Sequence, residues 1–376
     1  MRVAGNDYNR AELAGAFGDL GTLVPFVVGY VTLVGLDPQG VLLGFGLVAV
    51  ATGLYFRTPL SVQPMKAIGT AAIAHAASVT PGMIWASAAI TGLLWLSLAV
   101  TGAVAWLAAL TSRPVVRGLV LGLGLSFILE GVRLMQQGWI VGVAGAALTF
   151  VLLGYPRVPA MLVLLGYGAL AALMLDASLG RALAGLTPHP RLPAAVVPLV
   201  SWSELLQGTV VLALPQAALT LGNAVIATAE EHNRLFPDRP ITVRGLAWDH
   251  GLMNLAAAAL GGVPMCRGAG GMAGHVRFGA RTGGALVILG VMLLGVALLL
   301  PDSVTTLFRL FPPPVLGVIL LFGGLELAAS VTTEECSRAD RTVLAVTAGV
   351  ALWNMGAAYV AGLVLHHAAA RGVIRL

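Results

Sequence analysis

The sequence predicts an all-α polytopic membrane protein. Fourteen transmembrane segments form two inverted seven-segment repeats, with short strands before half-helices 3 and 10. Three observations predict this. Hydrophobic residues fill 58% of the 376 positions and charged residues only 10%, whereas a soluble domain carries about 25% charged residues. Apolar stretches approaching the ~20 residues that cross a bilayer recur from end to end. Paired dipeptides repeat across a Pro-rich middle. With a mean hydropathy of +0.92, the composition excludes a cytosolic enzyme, a nucleic-acid binder and a disordered scaffold. The expected surroundings are a lipid bilayer.

Taken in order, the apolar segments lie at 11–34, 40–56, 64–78, 82–110, 115–132, 138–154 and 157–175, then at 203–229, 245–261, 267–277, 283–300, 303–328, 340–353 and 355–370. The first repeat is therefore 1–175 and the second 203–376. Between them, 176–202 holds Pro188, Pro190, Pro193 and Pro198 and reads as a linker. Pro and Gly interrupt the pairs at 40–78 and 245–277.

Charge orients the chain. Of 21 basic residues only Lys66 is lysine. With the N-terminus in the cytoplasm, fifteen arginines fall inside and three, Arg133, Arg181 and Arg191, fall outside. That bias follows the positive-inside rule and places both termini in the cytoplasm after an even number of spans. Pro64-Met65 matches Pro264-Met265, and Pro114-Val115 matches Pro314-Val315, at one offset of 200 residues. Glu12-Leu13 and Glu204-Leu205 open corresponding segments. Seven spans per repeat is odd, so the second copy is inverted, as in many transporters. Cys266 and Cys336 show neither a disulfide framework nor metal-ligand spacing. The N-terminus reads as free of a signal peptide.

The chemistry is expected where the helices break. Pro59 and Pro64 bracket a short extended run, read as a strand at 60–63 before a half-helix deep in the membrane. Pro264 precedes a run of small residues in the second half. Facing half-helix N-termini each present free N–H groups and about half a positive charge. Gly268, Gly270 and Gly271 let an oxyanion approach the backbone. A tetrahedral dianion then lacks about one positive charge. Lys66 or Arg267 supplies it, unless those side chains snorkel to the interface. Asp19, in the first segment, either takes up a coupling ion or pairs with a fixed cation. Gln216, Thr220 and Asn223 share one helix face, as donors to an oxyanion or as interhelical bonds. His275 reads as a ligand, a proton relay or a packed side chain.

FGDLGTLVPF at 17–26, SVQPMKAIGT at 61–70, LPQAALTLGNAVIAT at 214–228 and VPMCRGAGGMAGHVRFGARTGG at 263–284 together resemble the molybdate transporter family, a branch of the sulfate permease superfamily. The resemblance covers essentially the whole chain, and its last motif is the most specific. It implies interleaved core and gate domains, with the anion between the starts of segments three and ten. The implied activity is uptake of molybdate across the plasma (inner) membrane, by an elevator-like or rocking motion. The expected substrate-binding residues are Thr22, Gln63, Met65, Lys66, Gln216, Thr220, Arg267, Gly268, Ala269, Gly270 and Gly271. Asp19 is the expected coupling residue, with a proton as coupling ion and sodium as the alternative. No cofactor, metal or nucleic-acid partner is expected, and no cytoplasmic regulatory domain. A homodimer through gate helices suits the superfamily. GxSxG, HExxH and paired-aspartate motifs are absent, so an enzyme is not expected. Nucleobase carriers of this fold use carboxylates where this chain has Gln216, Thr220 and small residues, which favours an anion. Sulfate or tungstate transport, an anion channel and a nucleobase or carboxylate carrier are the alternatives.

Overall fold

The computed structural model describes residues 2–155, 158–192, 200–329, 331 and 336–374. Pro193 and Pro198 of the expected linker, and Arg157 and Arg375 of the charge count, lie outside them. A hairpin of β1 (Arg2–Val3) and β2 (Asn6–Asp7) leads into α1 (Arg10–Ala16) and α2 (Leu20–Thr32). One segment was expected here. Phe17 to Asp19 break it, and the two axes differ by 44°. α3 (Pro38–Phe56) opens with Asp37 accepting from Gln39 N–H and with proline in its first turn, where a missing donor costs nothing.

β3 (Gln63–Pro64), α4 (Lys66–Ala74) and α5 (Pro81–Thr101) follow. The strand sits later than the expected 60–63. Gly102, at φ 75°, ends α5 and divides the expected segment 82–110, leaving α6 (Ala103–Ala109) as a separate short helix. α7 (Arg113–Met135), α8 (Trp139–Leu153) and α9 (Ala160–Leu175) complete the first half. The stretch read as linker is not all irregular. It carries α10 (Ala177–Ala184), bent 107° from α9, because Asp176 accepts from Ser178 N–H at its start and pairs with Arg309.

α11 (Trp202–Gln207), α12 (Leu214–Leu219) and α13 (Thr228–Leu235) form one helical run through π-helical stretches at 208–213 and 220–227. Pro215 has no N–H and its ring crowds the preceding turn, so the turn widens. Then come α14 (Val243–Ala259), β4 (Met265–Cys266), α15 (Ala269–Arg277), α16 (Gly284–Leu299), α17 (Val304–Phe308), α18 (Pro313–Ala329), α19 (Arg338–Ala351) and α20 (Met355–Ala370). The expected segment 303–328 is interrupted between α17 and α18. Pro312, Pro313 and Pro314 suit the start of a helix but not its interior.

Pro38–Phe56, Pro81–Thr101 and the run Arg113–Leu153 are each long and apolar enough to cross a membrane. Four bent helix pairs are so jointly, giving up to seven candidate spans among the described residues by length and composition.

The repeated dipeptides take equivalent places. Gln63 pairs with Cys266 and Pro64 with Met265 in an antiparallel β3–β4 ladder. Pro114 and Pro314 stand in the first turns of α7 and α18, which pack on each other. Glu12 accepts from the N–H groups of Arg281, Thr282 and Ala285 around the start of α16. Glu204 accepts from the Thr80 hydroxyl at the start of α5 (2.7 Å). α3 also packs on α16, and α5 on α14, so each half of the chain leans on the other.

Candidate anion-binding site

The β3–β4 ladder sets two half-helices, α4 and α15, starting from one place. Met65 N–H donates to Pro264 O at 3.0 Å. The Ser61 hydroxyl donates to Gly268 O at 2.8 Å and accepts from Gly268 N–H at 3.2 Å. Asn254 on α14 donates to Met265 O and accepts from Met265 N–H, both at 2.8 Å. Arg267 N–H donates to His250 Nε2 at 3.3 Å. Extended backbone at membrane depth survives only when its polar groups are met by protein, and these side chains meet them. Ser61, His250 and Asn254 were not foreseen. The available signal was a polar pair four apart, His250 and Asn254, in an apolar helix.

The two half-helix tips differ. In α4, Gln216 Oε1 accepts from Ala67 N–H at 2.8 Å and from Ile68 N–H at 3.4 Å. Gln216 Nε2 donates to Thr220 Oγ1 at 3.0 Å. In α15, Met272 N–H reaches back to Gly268 O at 3.0 Å, so the N–H groups of Ala269, Gly270 and Gly271 have no intrahelical acceptor. Facing this tip is a buried cluster. Asp19 Oδ1 accepts from Gln63 Nε2 at 2.8 Å and from the Thr22 hydroxyl. Asp19 Oδ2 and Gln63 Oε1 are buried without a hydrogen-bond partner among the described residues. A Cβ on Gly271 would run into Asp19 Oδ2 and Gln63 Nε2, and one on Gly268 into Gln63 Oε1. Glycine is needed at both positions for this approach.

Lys66 opens α4. Its Nζ is buried, makes no hydrogen bond among the described residues and lies 4.0 Å from the centroid of the Phe127 ring. It does not snorkel. A cavity of about 680 Å³ holds Thr22, Lys66, Phe127 and Asn223 at one end and reaches Glu130 and Arg133. Asn223 Oδ1 is buried and has no hydrogen-bond partner among the described residues. Phe127 was not foreseen, because a lone aromatic in an apolar helix carries no signal.

Two expected binding residues point elsewhere. Arg267 Nε and Nη2 donate to the two carboxylate oxygens of Asp249 at 2.7 and 2.6 Å, and Nη1 donates to Ser61 O at 3.3 Å. Asp249 thus matches the charge of the Arg267 guanidinium. Arg267 floors a larger groove, about 780 Å³, between α3 and α14 that contains neither tip. The Met65 side chain packs in the apolar core. His275 donates through Nδ1 to Gly15 O at 2.7 Å, and its Nε2 is buried without a hydrogen-bond partner among the described residues. Removing the carboxylate in Asp249→Ala is expected to strand the Arg267 guanidinium and lower stability by about 3 kcal/mol. Thermal unfolding in detergent measures this, and an unchanged Tm would show the pair to be dispensable.

The arrangement can hold a small oxyanion by backbone N–H groups, one ammonium and neutral side-chain donors. A family model described as "Molybdate transporter of MFS superfamily" matches residues 11–127 and 208–327. Molybdate transporter 2 of Arabidopsis thaliana is 32% identical, over 95% of this chain and 86% of its own length. Molybdate transporter 1 of Chlamydomonas reinhardtii is 28% identical, over 94% and 90%. Among solved structures, the transmembrane domain of the cyanobacterial bicarbonate transporter BicA superposes with a TM-score of 0.60 at 13% identity, covering 94% of this chain and 96% of that one. Murine Solute Carrier 26 family member A9, an anion transporter in the inward-facing state, gives 0.65 at 13% identity, covering 98% and 69%. At such identities the likeness is one of fold.

Proposed function

This chain belongs to the molybdate transporter family, and from that premise we propose that it carries molybdate across the plasma membrane as a proton-coupled secondary transporter. The observation that carries this reading is that the β3–β4 ladder joins the starts of α4 and α15, beside a cavity lined by Lys66, whose ammonium has no hydrogen-bond partner among the described residues. Two tips contribute about half a charge each, and Lys66 one more. That sum matches a dianion. Free N–H groups of Ala269, Gly270 and Gly271 receive its oxygens, with Thr22, Gln63, Gln216 and Thr220 as neutral partners around it.

Asp19 supplies the coupling. Ionised, it places a negative charge beside the same α15 tip and repels a dianion in a medium of low dielectric constant. Protonated, it does not, so anion and proton enter together. The whole chain reads as fourteen segments in two inverted repeats, 1–175 and 203–376, with both termini cytoplasmic. α1–α5 with α11–α16 make the core and α7–α9 with α18–α20 the gate, and two copies meet through gate helices. In that orientation the cavity runs toward the outside by way of Glu130 and Arg133. The Arg277–Glu326 ion pair (3.4 Å) joins core to gate on the cytoplasmic side.

The test is uptake of radiolabelled molybdate into proteoliposomes, with sulfate as competitor, with and without an imposed pH gradient. Uptake by the parent chain is expected to rise when the outside is acidic. Asp19→Asn, a mimic of the protonated acid, is expected to keep binding while uptake loses most of its response to the gradient. If that variant retained the full response, the coupling role would belong to another group. Conductance far above a transporter's turnover would make the protein a channel.

A further inference from the structure

Phe127 stands on α7 and contacts both half-helices. Its ring centroid lies 4.0 Å from Lys66 Nζ, within the ~6 Å over which an aromatic face attracts a cation. The ammonium makes no hydrogen bond among the described residues, so the ring offsets part of a charge that no hydrogen bond meets. On its other edge the ring closes on α15. A Cβ at Gly270 would stand 2.6 Å from Phe127 Cε2 and 2.8 Å from Cζ. Phe127 is only 6% exposed, yet it borders the cavity with Lys66, Thr22 and Asn223.

We propose that Phe127 is the resting partner of Lys66: ring and oxyanion compete for one ammonium, and the anion binds by drawing the cation off the ring. This rests on the anion assignment of the same site and adds a positioning residue that tunes its affinity. An aromatic face is a weak, neutral partner, and a charge-assisted bond to an oxyanion is stronger. The exchange therefore favours a doubly charged ligand over a singly charged one. The ring is carried by α7, and Lys66 and Gly270 by α4 and α15. Freeing Lys66 from the ring thus also loosens a contact between those groups of helices, so the packing of α7 registers whether the site is filled.

Ring fluorination tests this with little change of shape. Phe127 is replaced in the full chain, in nanodiscs, by mono-, di- and trifluorinated phenylalanine, which weakens the π face stepwise. Molybdate Kd is expected to fall along the series, by about threefold or more at its end. The Tm of the anion-free protein is expected to fall along the same series, and to stay level when Lys66→Met is also present. A flat or rising Kd series in a chain that binds molybdate overturns the proposal and leaves the anion site standing. A Tm trend that persists with Lys66→Met also overturns it, since the ring would then act by packing alone. A parent chain that binds no molybdate overturns both the proposal and the site.

Discussion

Lys66→Met is expected to weaken molybdate binding about 100-fold, the order of loss when one partner of a buried charge pair is truncated. Isothermal titration of the purified protein measures it, and Lys66→Arg should recover part of the affinity. The same variant separates a binding role from a structural one. In the structure the Lys66 ammonium is buried and has no hydrogen-bond acceptor among the described residues. A buried cation without a carboxylate partner is a cost to the fold. Its removal should therefore leave Tm unchanged or raise it, while binding collapses. A structural lysine behaves in the opposite way, with Tm falling and affinity surviving in whatever folds. Retained affinity in a stable Lys66→Met protein would remove lysine from the site.

Gly271→Ala is the second large effect. The added methyl falls on Asp19 Oδ2 and Gln63 Nε2, both buried and held in one hydrogen-bonded cluster with Thr22. Either the cluster moves off the α15 tip or the half-helix moves off the cluster, and in both cases the N–H groups lose their shared target. Uptake is expected to fall about 100-fold, the scale on which a misplacement of about 1 Å degrades a preorganised site. Alanine in place of glycine normally strengthens a helix by about 1 kcal/mol, so a weakened α15 would not account for the loss. Uptake by Gly271→Ala at half the parent rate would show that the tip lies away from the transport path.

The breaks in the helices were largely legible. Pro64 and Pro264 announced two half-helices, because a residue without an N–H cannot continue a helix but suits its start. The paired Pro–Met dipeptides turned out to face each other across the β3–β4 ladder. Other interruptions were not readable as pattern. Gly18, Gly21 and Pro25 marked the first helix as locally irregular without locating its break at Phe17 to Asp19, and Gly102 looked like one glycine among 48. α10 was hidden in a Pro-rich stretch because its start depends on Asp176 and, from far along the chain, Arg309.

At the site, sequence offered both Lys66 and Arg267, each a cation beside a half-helix start, and set Lys66 apart only as the one lysine of the chain. Gln216 was recognised as a polar donor on the right face, whereas its carbonyl oxygen in fact caps the N–H groups of α4. A glutamine amide can donate or accept, and spacing does not say which. Phe127 was unreadable for a simpler reason: its value comes wholly from the ammonium beneath it.

Composition and the placement of proline and glycine determined, without any coordinates, that the chain is a membrane protein with helices broken at matched positions. Those are local rules of backbone geometry and burial, and they hold wherever the segment ends up. Which charge is free was decided only in three dimensions. Asp249, 18 residues from Arg267 along the chain, closes on that guanidinium and cancels it, while among the described residues no carboxylate forms an ion pair with Lys66. Electrostatic neutralisation depends on distance through space, and only the packed helices determine that distance.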